Sequence, residues 1–374
     1  MDLSLSEEQQ SISDLAAQIL TDKLPPTRLR EIESDPSKRW FADDVWNELA
    51  KADLLGICLP EGVGGGGYGF LEACLLLEQQ GRAVAPLPLL PTLVLGALPI
   101  AHFGTNAQQV ALLPGVIDGT TILTAALYEA GEYVVPAMPS TTATRAGDTW
   151  KIDGEKILVP AAHLASRILV PARTDEGVGV FIMDATGDGF ELERNEAISD
   201  EPLFTLTLRG AVGEQLGDGH RGQEIVEWIT ERAIAAVCSI QTGVCEAALR
   251  LTATYASERE QFGAKIGTFQ AVAQRLADAY IDTEGIRLTA LQAAWLLAQE
   301  VPATDEVHIA KFWASYGGDR VVHAAQHVHG GIGMDLDYPV HRYFRWTKVI
   351  ELSLGTATEH LRRLGQRIAA APTA

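Results

Sequence analysis

Between Leu203 and Val301 the chain runs 99 residues without a proline, whereas 14 of its 17 prolines lie between Pro25 and Pro202. Proline lacks a backbone donor and clashes with the preceding turn, so a proline-free stretch of this length is where long helices form. Within it Ile225, Ile229, Ala233, Ala236, Ile240, Val244, Ala247 and Leu251 recur at steps of three or four. That spacing draws one apolar face of a long helix. Phe269, Val272, Leu276 and Ala279 begin a second such face, and Ile309 to Gln326 reads as a third helix.

Residues 121 to 222 have a different rhythm. Phe204, Leu206 and Leu208 alternate with Thr205, Thr207 and Arg209, the period of a strand. Short apolar runs at Arg167–Pro171 and Val178–Met183 are bounded by turn residues, and Asp153-Gly154 reads as the turn of a hairpin. The first 120 residues return to helical spacing, with Leu3, Ile12, Leu15, Ile19, Val45, Leu49 and Leu54 on apolar faces. The expected fold is therefore α+β and mostly helical. It has an N-terminal helical domain over 1–120, a middle β domain over 121–222 and a C-terminal helical bundle over 223–374. A chain of 374 residues has room for two or three domains.

Charge narrows the function. Lys plus Arg number 29 against 49 Asp plus Glu, a formal charge of −20 with no concentrated basic run, which argues against nucleic acid and anionic membranes as partners. The apolar run Ala85–Ala101 carries four prolines, unlike a membrane helix. The N-terminal stretch is amphipathic and acidic, unlike a signal or transit peptide. Cys58, Cys74, Cys238 and Cys245 have no C-x-x-C spacing and read as small core residues of a reduced, cytoplasmic protein.

Three motifs invite chemistry. Gly62-Val63-Gly64-Gly65-Gly66-Gly67 satisfies G-x-G-x-x-G, but helical pattern lies on both sides and no strand precedes it, so an interhelical loop is the better reading. His323 and His327 share a helix face with His329 beyond, yet the ligand set is incomplete for zinc, and Gly330, Gly331 and Gly333 point instead to a loop near a ligand. In Arg259-Glu260-Gln261-Phe262-Gly263 an Arg and a Phe three apart are expected on one helix face, with Gly263 ending the helix. A guanidinium at a helix terminus suits a diphosphate, although a solvated Arg beside a core Phe fits the spacing as well.

Arg259-x-x-Phe262-Gly263, Phe269-Gln270 and His329-Gly330-Gly331-Ile332-Gly333 resemble the acyl-CoA dehydrogenase family. Pro60-Glu61-x-x-Gly64-Gly65 and the helix ending near Glu78 to Arg82 are similar to it too, so the resemblance spans the chain. It implies α,β-dehydrogenation of an acyl-CoA with FAD shared between subunits, and an electron-acceptor flavoprotein to receive the electrons. By resemblance Arg259, Phe262, Gln270, Gly330 and Gly331 reach the neighbour's cofactor. His327, with Gln326 beside it, stands where members carry Gln, and either side chain suits a hydrogen bond to the cofactor.

The other half of the family's site departs from the pattern. Leu127-Tyr128-Glu129-Ala130-Gly131-Glu132 stands where members carry Thr-Glu-Pro-x-x-Gly-Ser-Asp, and Ile157-Leu158-Val159-Pro160 stands where they carry Trp-Ile-Thr. Leu354-Gly355-Thr356 replaces the Glu-Gly-Thr in which many members keep their base, and leucine cannot take a proton. Glu231 matches the alternative base position on the preceding long helix. The pattern is similar to the actinobacterial sterol side-chain dehydrogenases, α2β2 heterotetramers, and implies a subunit that completes a FAD site with a different catalytic chain. A complete homo-oligomeric enzyme using Glu231, or a flavin-free structural or CoA-ester-binding subunit, are the alternatives.

Overall fold

The computed structural model describes residues 3–370 apart from positions 38, 133, 218 and 220. Among the described residues six α-helices come first: α1 (Glu7–Lys23), α2 (Pro26–Glu33), α3 (Asp43–Lys51), α4 (Phe70–Ala83), α5 (Leu98–Phe103) and α6 (Asn106–Ile117). Seven strands follow: β1 (Leu123–Ala125), β2 (Thr142–Ala146), β3 (Thr149–Pro160), β4 (Arg167–Thr174), β5 (Gly177–Asp184), β6 (Phe190–Glu196) and β7 (Pro202–Gln215). The helix α7 (Gly222–Glu258) leads to a two-stranded hairpin, β8 (Glu260–Gln261) and β9 (Ala264–Lys265). Then come α8 (Gln270–Ala298), α9 (Thr304–His329), α10 (Val340–Leu352) and α11 (Ala357–Ala370).

The chain divides into two compact units. One comprises residues 1–27, 74–85 and 234–374, and the other residues 28–73 and 86–233. Both α4 and α7 contribute one end to each.

In the first unit α9 packs against α8, α10 and α11. Its glycines make room. A Cβ on Gly318 would meet the Gln241 amide at 2.3 Å, and one on Gly317 would touch Ile286 at 3.4 Å. The tightest approach lies between α4 and α7. A Cβ on Gly81 would stand 2.0 Å from the Ile240 carbonyl oxygen, and one on Gly243 would stand 1.9 Å from that of Glu78. Two glycines therefore let these helices cross backbone against backbone. Arg82 ties the crossing by ion pairs to Glu78 (2.8 Å) and to Glu246 of α7. On α1 the buried residues are Ser13, Ala16 and Leu20, while Leu15, expected on the apolar face, is exposed. Ser13 accepts a hydrogen bond from the buried Gln79 amide at 2.8 Å.

The second unit holds the β structure. Strand order is β1-β4-β2-β3-β7-β5, and β5 also pairs with β4, so the sheet curls back on itself. The alternation in β7 holds, with Phe204, Leu206 and Leu208 buried. The hairpin expected at Asp153-Gly154 does not form there. β3 runs straight through from Thr149 to Pro160 with a register shift between Ile152 and Gly154, and the turn falls at Gly147-Asp148 instead. Gly154 is needed at the irregularity because its φ is +147° and a Cβ would strike Thr141 at 2.8 Å. The Gly62–Gly67 run is an ordered loop. Gly66, Gly67 and Tyr68 donate backbone hydrogen bonds to Gly56, Leu59 and Ile57, and Gly65 lies where a Cβ would be 2.3 Å from the Leu59 oxygen. Gly65 and Gly66 thus serve a close approach of backbone to backbone.

A buried ion pair closes this unit. Lys156 Nζ lies 2.7 Å from Glu129 Oε1, and the remaining lone pairs of Glu129 accept from Ser140 N (2.6 Å), Ser140 Oγ (2.5 Å), Thr141 N (3.0 Å) and Thr141 Oγ1 (2.7 Å). Burial opposes ionisation of Glu129, but the donors from Lys156, Ser140 and Thr141 outweigh it and hold the carboxyl at about 2. Glu129, Ser140 and Thr141 are thereby tied to Lys156 of β3.

Among the described residues one helix, α7, is long and apolar enough to cross a membrane, and 78% of its most apolar stretch is buried, as in a core helix. All four cysteines are buried and free, and burial pushes the thiols of Cys58, Cys238 and Cys245 up to about 12, so they are inert at neutral pH.

Three substitutions test this packing. Gly243→Ala should lower the unfolding free energy by about 3 kcal/mol in a denaturant titration, since relief needs a backbone shift. Gly365→Ala, on α11 with open space around it, should instead be neutral or stabilising by up to about 1 kcal/mol. Glu129→Gln should cost about 3–5 kcal/mol, because Lys156 loses its counter-charge in the interior. The Glu129 carboxyl is more acidic folded than unfolded. Its stabilisation is thus complete above the ordinary value of 4.5 and is lost as pH falls from there towards about 2, a loss that the Gln variant should not show in acid unfolding.

Candidate functional site

The Arg259–Gly263 segment does not continue the helix. α7 ends at Glu258, and the chain turns back through β8 and β9, with Phe262-Gly263 as a two-residue turn. Both turn residues have positive φ, +52° and +76°, the geometry that matches the twist of a tight hairpin. Glycine adopts it freely, whereas phenylalanine does so at a cost of order 1–3 kcal/mol. The expectation that Arg259 and Phe262 share a helix face is thus replaced by a hairpin with Arg259 at its root and Phe262 at its tip. Phe262 is 97% exposed. Its ring is 6.4 Å from that of Phe269, which precedes Gln270, the first residue of α8.

A stack of rings fixes the hairpin root against the end of α9. Tyr255, one turn before Arg259, stacks on His329 at 4.6 Å, and His329 Nε2 contacts Tyr338 Oη at 3.1 Å. His329 Nδ1 lies 2.8 Å from the Ala325 carbonyl oxygen. A carbonyl only accepts, so that nitrogen carries the proton. Burial lowers the basicity of this imidazole. Its role is packing, and among the described residues no group of three metal-ligating side chains exists. Sequence reading weighed His329 as a possible ligand and missed its ring partners. The tyrosine one turn before Arg259 was the available signal.

The Gly330–Gly331 loop follows at once. Gly330 has φ +61°, and a Cβ on either glycine would meet nothing within 4 Å. Gln326 lies against Gly333, and His327 is exposed. Among the described residues, the side chains of Arg259, Gln270, Gln326 and His327 have no hydrogen-bond or ion-pair partner in the chain. α8 also begins without a side-chain cap, which leaves its first backbone donors available to an anion. This end of the first unit thus presents an uncommitted guanidinium, three uncommitted polar side chains, an exposed aromatic ring and two bare glycines.

Leu354-Gly355 is held as firmly. The buried Lys311 ammonium donates to Ser315 Oγ (2.7 Å) and to the carbonyl oxygens of Ile350 (3.0 Å), Glu351 (3.3 Å) and Gly355 (2.9 Å). It caps the C-terminal end of α10, where the helix dipole favours a cation. Burial pulls its pKa down to about 8, so it remains mostly protonated at pH 7. His360 Nε2 meets the Leu354 carbonyl at 2.8 Å, and its Nδ1 meets His308 Nδ1 at 2.9 Å. Leu354 itself has φ +55°. Sequence reading did not single out Lys311; a lysine on the apolar face of α9 was the signal.

In the second unit Glu231 is half-buried on α7, beside Arg232, whose buried guanidinium lies 3.6 Å from the Trp228 ring centroid. Leu158 has φ +54° and is 43% exposed, on the strand that carries Lys156. The segment with Glu129 is committed to the internal ion pair described above.

Residues 6–120 match the acyl-CoA dehydrogenase N-terminal domain and residues 220–369 the acyl-CoA dehydrogenase C-terminal domain. The chain is 37% identical to acyl-CoA dehydrogenase FadE27 of Mycobacterium tuberculosis over the whole of both chains. Its structure superposes with a TM-score of 0.93 and 37% identity on a chain of the ChsE4–ChsE5 complex from Mycobacterium tuberculosis, covering 100% of each. With a TM-score of 0.91 and 45% identity it matches a chain of a variant of the Tcur3481–Tcur3483 steroid ACAD, covering 98% of this chain and 99% of that one. Members of the family bind FAD. The chain, with the fold and with the Arg259, Phe269-Gln270 and Gly330-Gly331 segments in place, belongs to the acyl-CoA dehydrogenase family.

Proposed function

We propose that this chain is one subunit of a heteromeric, FAD-dependent acyl-CoA dehydrogenase and supplies the diphosphate-binding half of a site completed by a second, catalytic dehydrogenase subunit. The carrying observation is Phe262, held in a strained left-handed turn and almost fully in water, at the tip of a hairpin rooted on an unpaired arginine. A chain retains strain and an exposed aromatic where a partner surface will cover them.

The residues fit that half of FAD. Arg259 offers a planar fork of donors to a diphosphate. Gln270, Gln326 and His327 offer uncommitted hydrogen-bonding groups, and Gly330 and Gly331 allow the cofactor to lie against backbone. Phe262 would cover it from water. The chemistry that FAD supplies when bound is acceptance of the β-hydride while a base takes the α-proton of the acyl-CoA. The remaining half is poorly provided for here, since Leu158 offers no aromatic cover, Glu129 is spent on Lys156, and Leu354 has no proton acceptor. Two of the relatives, ChsE4–ChsE5 and Tcur3481–Tcur3483, are each complexes of two differently named proteins, and the second is a steroid ACAD. A steroid side-chain CoA thioester as substrate, and an acceptor flavoprotein for the electrons, complete the reading, as does the division of the chain at residues 120 and 222.

The homo-oligomeric alternative assigns the base to Glu231, and two substitutions separate the readings. Arg259→Ala should deplete the co-purified complex of flavin by tenfold or more in occupancy at limiting FAD, the loss of about 1.4 kcal/mol or more of binding. Unchanged flavin content would favour a flavin-free structural subunit. Glu231→Gln should leave the turnover of the complex within about twofold of wild type, whereas a fall of about a hundredfold or more would make Glu231 the base.

A further inference from the structure

Away from these segments, two small cavities in the second unit share one lining residue, Trp40. The outer cavity, about 110 Å³, is lined by Glu33, Arg194, Glu196 and Asp200 among others. The inner one, about 10 Å³, is lined by Pro88, His163, Leu164 and Glu201. Trp40 has φ +51°, a costly conformation for a bulky residue, and it lines both cavities.

The two polar side chains of the inner cavity are complementary. His163 Nε2 meets the Arg39 carbonyl oxygen at 2.9 Å. That oxygen only accepts, so Nε2 carries the proton and Nδ1 presents a lone pair. Nδ1 is buried and has no partner among the described residues. The ring is fixed by stacking on Phe204 at 5.0 Å. The Glu201 carboxyl has no hydrogen-bond partner among the described residues either; its backbone N–H donates to Ser199 Oγ. A buried ring nitrogen without a partner is costly, and a cavity of about 10 Å³ with two polar walls is of the size that admits a single water.

We propose that the inner cavity is a hydration site in which one water links the Glu201 carboxylic acid to the Nδ1 lone pair of His163. The link joins three segments distant in sequence: Arg39–Trp40, the turn after β3, and the start of β7. It needs both groups neutral, and the surroundings favour that. Burial raises the Glu201 carboxyl to about 7, and burial lowers the His163 imidazole below its ordinary value. The other charged residues lining the two cavities are Glu33, Arg194, Glu196 and Asp200, and Arg39, whose carbonyl meets His163, is paired with Asp43. Arg39 and Arg194 both disfavour a charged His163.

The sign of the pH effect follows. A carboxyl that holds its proton more tightly folded than unfolded destabilises the fold as pH rises from 4.5 to about 7, with no further change above. His163 acts oppositely, its contribution growing as pH rises towards 6.5. The test is the Tm of the full chain against pH for wild type and Glu201→Gln, whose amide still donates to the water but does not ionise. The Tm of the variant minus that of wild type should increase between about pH 4.5 and 7 and then level off. Trp40 supplies a second readout if that variant does not fold. The emission of wild type minus Trp40→Phe should titrate near pH 7, and His163→Gln, which keeps a donor for Arg39 but removes the Nδ1 acceptor, should move that midpoint. A Tm difference independent of pH, an emission difference that does not titrate, or a midpoint unmoved by His163→Gln would each overturn the proposal.

Discussion

The crossing of α4 over α7 is the constraint on which the first unit depends. Gly81 and Gly243 bring two helix backbones so close that either Cβ would penetrate a carbonyl oxygen. Helices normally pack at 8–10 Å because side chains separate them. Removing those side chains leaves room for Arg82 to sit between Glu78 and Glu246 and to tie α4 to α7 a turn beyond the contact. Burial raises the Glu78 carboxyl despite that arginine, so the polar cluster costs something to keep inside, and the glycines are what make its geometry possible. From this crossing α7 continues to Tyr255, and Tyr255 fixes where the hairpin that bears Arg259 begins.

The candidate site uses strain and exposure together. Phe262 occupies a backbone conformation that glycine would take without cost, and its ring gains little from its own chain. Arg259, Gln270, Gln326 and His327 are equally uncommitted. By contrast, the segments that would complete a flavin pocket in the same chain are either committed or apolar. Glu129 is saturated by five donors, and the Leu354-Gly355 turn, though clamped by Lys311 and His360, carries a side chain without a proton acceptor. On the proposed reading one half of a binding site is presented and the other is closed, as expected of a subunit that leaves the chemistry to a different chain.

Periodicity made the helices legible. The α7 apolar face and the β7 alternation both reflect burial that repeats along the chain, and repetition is visible in sequence. Single-residue geometry was not. Asp153-Gly154 carries the dipeptide of a hairpin, yet Gly154 is there to clear Thr141 within a continuous strand, a reason that depends on a residue distant in the fold. Arg259 and Phe262 are three apart, as on a helix, but the turn at Phe262-Gly263 needs two positive φ values, one of them at a residue that rarely adopts them. Leu15 was expected inside and lies outside, on a helix whose buried residues are Ser13, Ala16 and Leu20. Lys311 and the Glu129–Lys156 pair escaped because a buried charge is recognisable only once its partners converge. The flavin-site departures were visible, in contrast, because the family pattern supplied the positions at which to look.

The visible absorption spectrum of this chain, purified alone and then with a co-expressed second dehydrogenase subunit, tests the half-site account most directly. The account predicts a colourless chain by itself and a flavin spectrum only in the two-chain complex. A yellow preparation of the chain alone, with one FAD per protomer, would contradict it and show that Leu158, Glu129 and Leu354 suffice to complete a pocket without help.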